Sequence, residues 1–407
     1  MRYIDYFASL LPQSAAARLN YLRVTVVCAY ACGMLTSPGL WFGTGRTFPH
    51  APLLSGLPYS LSSADYLLSL LLLAAIVLAA VSKRPRRYIV AVLALSVLLV
   101  VLDQTRLQPW VYQYLIMLAV LACVRSGEDD EESAGLTIAA NQLVIAMLYF
   151  WSGAQKLNWS FGHEVMPGLL ASAGVHLSPA YVSYLPAIGI VAALCEAFTG
   201  IALLVRKTRR MGVLLALCMH LLVLVMLVAA WRNSVVWVWN VFMMVMVVLL
   251  FWRSQHTVNC HVLWKWRGAT PSSHAAKAVI VVCGLAPALS FIGWWDMYLS
   301  SALYSGNTTI AVARISERVR DRLPATAQQQ VFKTRRGEMM LPFYEWSMTE
   351  LNVPPYPETR VYRQLAREVC RYAEEPQEVE LIVRERPSLI DGSYAVSRAD
   401  CQNLFAQ

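Results

Sequence analysis

Nine apolar runs constrain this chain more than any other feature. They lie near residues 21–43, 62–82, 88–103, 108–124, 135–158, 180–205, 212–231, 234–252 and 277–295. A helix rises about 1.5 Å per residue, so about 20 apolar residues cross the ~30 Å hydrocarbon core of a bilayer while satisfying their own backbone polar groups. The composition agrees: 57% of the 407 residues are hydrophobic and 14% charged, which excludes an ordinary soluble globule. The expected fold is an all-α polytopic membrane bundle of about nine transmembrane helices over residues 1–295. A small C-terminal α/β extramembrane domain over 296–407 follows it.

Charge sets the expected orientation. Lys83-Arg84-Pro85-Arg86-Arg87 follows the second run and Arg206-Lys207-Thr208-Arg209-Arg210 the sixth. Short basic loops stay in the cytoplasm, so both even-numbered runs end there. Arg2, Arg18 and Arg23 place the N-terminus on the same side, with the first run as an uncleaved signal anchor. Nine crossings then put residues 297–407 outside a cell (inner) membrane. Pro38 and several glycines make the first run the least regular, and 44–61 reads as an interfacial or re-entrant loop. The acidic run Glu128 to Glu132 falls inside, which the rule allows because it counts Lys and Arg. The net charge of +9 lies in the membrane part, since the region from Asp296 onward holds 14 Lys/Arg against 15 Asp/Glu. No basic stripe with interleaved stacking aromatics occurs outside the loops, so nucleic acid is excluded as a partner. Cys260 with His256 and His261 fits no zinc spacing, so no metal is expected.

In the C-terminal segment, Thr308–Arg314 and Glu378–Arg386 alternate as strands. A helix is expected from Pro357 to about Ala373, with Pro357 at its first position, Glu358 in its first turn, and Val361, Leu365 and Val369 on one face. Cys370 and Cys401 are the segment's two cysteines, and an oxidising compartment favours a disulfide between them over two free thiols. The segment carries no nucleophile elbow or phosphate loop; docking a protein partner is open to it.

Polar groups inside the apolar runs are the functional candidates. On a helix, Gln142, Tyr149, Ser152, Gly153 and Lys156 share one face. Lys156 either snorkels to the headgroups or points into the bundle. Glu196 is nine residues from Val205 and His220 eight from Gly212, so the two lie at matching depth as natural partners; a partner such as His220 or Lys156 is expected for Glu196, either in a site or as a bond joining helices. Trp239 and Asn240 add a further polar pair. Counting from helix ends puts His220 about 13 Å deeper than Lys156. That offset makes Asp103 and Arg106 the expected neighbours of Lys156, with Trp110 and the rest of the Asp103–Tyr112 turn bordering its cavity. Glu196 and His220 would form a lower cluster.

The segment Tyr149-Phe-x-Ser-Gly-x-Gln-Lys156-Leu-Asn-x-x-Phe161 resembles vitamin K-dependent γ-carboxylase and the related bacterial horizontally transferred transmembrane (HTTM) domain. The Glu196 helix, the basic loop and Met219-His220-Leu221 are similar to the same family's next two spans, so the resemblance covers about residues 60–255. It implies that Lys156 is a base acting on a lipophilic, quinone- or lipid-like substrate or cofactor, with His220 and Glu196 positioning it or relaying protons. Asp103, Arg106, Trp110, Tyr149 and Ser152 would line the substrate site. Two departures weigh against peptide carboxylation: the C-terminal segment is far smaller than the carboxylase's lumenal region, and Gln108–Tyr114 holds no histidine where a catalytic one is expected. DoxX-like membrane proteins share a comparable layout. They suggest the alternative, a non-enzymatic scaffold or accessory subunit whose outer domain docks a partner.

Overall fold

The computed structural model describes residues 12, 14–43, 45–54, 62–123, 131–231, 233–254 and 270–406. The Cys260 loop and Glu128 lie outside the described residues, as do residues 44 and 55–61 of the expected interfacial loop.

A helix occupies each of the nine apolar runs. They are α1 (Ala15–Thr36), α2 (Ser62–Val81), α3 (Arg86–Leu102), α4 (Pro109–Ala122), α5 (Glu131–Lys156), α6 (Leu185–Leu204), α7 (Arg209–Ala229), α8 (Ser234–Phe251) and α9 (Pro271–Ile292). Seven are long and apolar enough to cross a membrane; α3 with 17 residues and α4 with 14 are shorter. This pattern fits a multi-pass membrane protein. Two ends differ from expectation. Pro179–Val182 forms a separate turn, so α6 begins at Leu185 and not near 180. The last helix begins earlier, at Pro271, where the Thr270 hydroxyl accepts from the Ser273 amide as an N-cap. It then widens to π geometry over Ile280–Leu285 and tightens to 3-10 geometry up to Gly293, whose positive φ ends it.

Buried arginines gather the helix ends on the basic side of the bundle. Helix C-termini leave carbonyls without partners, and cations satisfy them. Arg18 donates to Leu249 O at 2.7 Å, Arg23 to Ala79 O, and Arg209 to Leu203 O and Ser254 O. The ends of α2, α6 and α8 are thereby tied to the start of α1 and of α7.

The C-terminal segment packs on the opposite side. Its sheet has the order β2-β3-β1-β4-β5, with β1 Ile310–Ile315, β2 Phe332–Lys333, β3 Met339–Pro342, β4 Val379–Arg384 and β5 Val396–Asp400, all antiparallel. Helices α10 (Phe343–Leu351) and α11 (Thr359–Cys370) cover one face, burying Ala311, Ala313, Leu381 and Val383. Val361, Leu365 and Val369 are buried as their spacing predicts. Pro357 lies outside α11, however, because Glu358 in extended geometry is its N-cap residue. The Glu358 carboxylate instead accepts the Met297 amide at 3.0 Å. Cys370 is bonded to Cys401 with Cα atoms 5.7 Å apart, tying α11 to the terminal helix α12 (Cys401–Phe405).

This appendage is clamped to the bundle. Asn352 Nδ2 donates to Thr36 O and Ser234 Oγ, joining the end of α1 to the start of α8. Gln108 donates to Pro354 O, and Arg360 bridges Gln104 and Asp296. The buried hydrophobic core runs on from the bundle into the appendage.

Candidate functional site

Two close approaches bring α5 and α6 together. A Cβ on Gly153 would lie 2.3 Å from Ala197 N, and one on Gly200 would lie 2.4 Å from Ala146 O. Only glycine lets the two backbones meet at both levels, as in small-residue crossings of membrane helices. The contacts make the helices antiparallel and place the Lys156 end of α5 level with the middle of α6. Glu196 is the twelfth of the 20 residues of α6. Beyond Lys156 the helix breaks and the chain continues as a short π segment, Phe161–Val165, and a short helix, Met166–Ser172, that fill in beside the start of α6.

Asn158 closes the break. Its Nδ2 donates to Gln155 O and Ser305 O, and its Oδ1 accepts the Phe161 amide. Gln155 donates to Ser290 Oγ and accepts from Asn307 Nδ2, which ties the end of α5 to α9 and to the chain leading into β1.

Lys156 therefore sits well below the start of α6, and its side chain turns back down its own helix. Its ammonium donates to Ser152 Oγ at 2.7 Å, one turn earlier, and to both carboxylate oxygens of Glu196 at 2.9 and 2.8 Å. The backward tilt of helical side chains accounts for this direction. The pair is nearly enclosed, with side-chain exposures of 13% and 14%.

One turn deeper, the Tyr149 hydroxyl lies 2.5 Å from His220 Nε2, and His220 Nδ1 lies 2.7 Å from Asn240 Oδ1. Asn240 Nδ2 donates to Val236 O. A carbonyl can only accept, so Asn240 must turn its amide NH₂ towards Val236 and its oxygen towards the ring. In the neutral imidazole the proton then sits on Nδ1, and Nε2 accepts from Tyr149. Four helices contribute: α5 supplies Tyr149, Ser152 and Lys156, α6 supplies Glu196, α7 His220 and α8 Asn240.

Several expectations need correction. Of the two partners expected for Glu196, Lys156 is the one that pairs with it, while His220 bonds to Tyr149 and Asn240 and forms no cluster with Glu196 apart from the lysine. Lys156 and His220 share no hydrogen bond, but the depth count wrongly separates Lys156 from Glu196, because α5 ends at mid-depth of α6 and the lysine reaches back a full turn. Asp103, Arg106 and Trp110 do not border Lys156. Asp103 is fully buried and accepts from Arg46 at 2.7 Å and from the amides of Ala51 and Thr105. Arg106 is held by Asp65 and by Leu40 O. Trp110 packs edge-on against Tyr30, Trp41 and Tyr114. These three residues secure the α3–α4 turn and the loop from Arg46 to Ala51. Trp239 donates to Gln113 Oε1, away from the site. Gln155 and Asn158, which build the break, were hidden in a run that reads as continuous helix; the Lys-Leu-Asn interruption was their one signal. Among the described residues, no group of three His, Cys, Asp or Glu side chains could hold a metal ion.

No protein-family model, curated protein or solved structure matches this chain.

Proposed function

We propose that this is a nine-span membrane protein with a cytoplasmic N-terminus and an extracytoplasmic appendage, which acts on a lipophilic, quinone- or lipid-like molecule with Lys156 as base. The basic loops at residues 83–87 and 206–210 support this orientation, with the appendage packed at the other end of the bundle. The chemistry rests on one observation above all: six polar side chains from four helices meet around Lys156 and Tyr149, where hydrocarbon or packed side chains would otherwise lie. Polar groups at that depth are costly to bury and mark functional positions.

A base at neutral pH needs the uncharged amine. Glu196 supplies the route, because passing one proton from the ammonium to the carboxylate leaves a neutral amine beside a carboxylic acid. The amine then takes a proton from the substrate, and Glu196 returns its own when the substrate is reprotonated. Tyr149, oriented by the His220–Asn240 chain, presents its oxygen on the same face as a hydrogen-bonding group for the substrate. The resemblance to the γ-carboxylase and HTTM family assigns the same role to Lys156.

Mass spectrometry of extracts from purified protein tests the reading. The wild type is expected to carry one enriched lipophile that Lys156→Met loses while remaining folded. Equal extracts from both would leave the scaffold role, in which these groups only join helices.

A further inference from the structure

We propose that a cavity of about 480 Å³ between the β4–β5 loop and the appendage-side end of α9 binds the phosphate headgroup of an acidic phospholipid. Phe291, Asn307, Arg386, Ser388, Ser393 and Tyr394 line it. The loop is fixed to the bundle by the Trp159 amide, which donates to Leu389 O, and by the Trp159 ring packed on Gly392.

Charge and place define the occupant. Arg386 uses Nη1 on Ser290 O and Met297 Sδ. Its remaining N–H groups have no acceptor among the described residues, and a guanidinium matches a phosphate in shape and charge. Nearby carboxylates have donors of their own: Glu358 holds the Met297 amide, Asp391 the Ser393 amide and hydroxyl, and Glu164 is bridged by Arg384. Arg384, already paired with Glu164, lies over the Tyr394 ring at 3.8 Å and fixes that wall of the cavity.

Below the cavity, Val281, Leu285, Leu289 and Ile292 are exposed along the length of α9, an apolar surface. Trp294 at its top is 77% exposed and Ile390 at the loop tip 90%. Aromatic and apolar groups at such a level mark a membrane interface. A phospholipid lying against α9 would place its acyl chains on these apolar side chains and its phosphate at Arg386. The volume suits a headgroup, and an acidic one brings no cation to oppose the arginine. This inference rests on α9 crossing the membrane and not on the chemistry of Lys156, so either can fail alone.

The test is native mass spectrometry of the full chain in detergent, with equimolar phosphatidylglycerol and phosphatidylcholine of matched acyl chains. The wild type should retain phosphatidylglycerol about tenfold over phosphatidylcholine, whose choline cation would lie against Arg386. Arg386→Gln should bring the two lipids to parity. So should Ala395→Asp, which places a negative charge on the exposed wall and leaves the Arg386 bonds to the bundle intact. Parity in the wild type, or a preference that survives both substitutions, overturns the proposal. Inorganic phosphate displacing the lipid at equal concentration would assign the cavity to the ion and overturn it too.

Discussion

Removing one partner of the Lys156–Glu196 pair leaves the other with a charge or a donor that nothing else neutralises, and the two removals differ. A carboxylate without its lysine can take up a proton and become neutral. An ammonium without its glutamate must shed its proton or keep Ser152 as its one remaining side-chain acceptor, and alanine also leaves the glutamate's space empty whereas methionine fills the lysine's. Glu196→Ala is therefore expected to cost about 3 to 5 kcal/mol and to reduce folded yield, as for other broken buried pairs. Lys156→Met should cost less, and Lys156→Met with Glu196→Leu should recover most of the loss. Thermal unfolding in detergent measures all three, and a double variant as unstable as Glu196→Ala alone would refute the pairing argument. At this scale the sequence disclosed the shared face of Tyr149, Ser152 and Lys156, because helical spacing alone determines it. Partner choice stayed hidden: a lysine reaches a full turn along its helix, and depth counted from apolar run lengths ignores that reach.

The helices themselves were legible for a simple reason, since a long apolar run hidden from water must close its own backbone bonds. Their ends were less so. Pro179 and Pro186 look alike in sequence, yet one starts an isolated turn and the other sits in the first turn of α6. The break after Lys156 depends on Asn158 finding Ser305, about 150 residues away, a contact no local pattern contains. The α5–α6 crossing is the element on which the site depends. Gly200→Val would push a side chain into the Ala146 carbonyl and the Phe150 backbone. The expected loss is about 1 to 3 kcal/mol from overpacking, read as a lower midpoint of thermal unfolding. An unchanged midpoint would show that the helices do not meet as closely as described.

For the molecule as a whole, the appendage is a cap on the bundle, and its disulfide closes one of its longer loops. The bond spans 31 residues. Chain-entropy reasoning gives such a loop about 3 to 4 kcal/mol, so Cys401→Ser should destabilise the appendage by about that amount. Protease sensitivity near α12, compared with the wild type, reports it. The strands β2, β3 and β5 and helix α10 escaped the sequence reading. Phe332–Lys333 is only two residues long, and Met339–Pro342 and Val396–Asp400 become strands by pairing with distant neighbours and not through a strong alternation of their own. The antiparallel order of the sheet was likewise invisible, because it is set by long-range pairing.

The central claim is that the Lys156–Glu196 pair serves a bound lipophile and does more than join α5 to α6. An electron cryo-microscopy structure of the full chain in lipid nanodiscs tests it most directly. The account predicts ordered non-protein density within about 3 Å of the Lys156 ammonium or the Tyr149 hydroxyl, at hydrogen-bonding distance. Density absent from that face, with Lys156 and Glu196 bonded only to each other and Ser152 and sealed by neighbouring side chains, would contradict it.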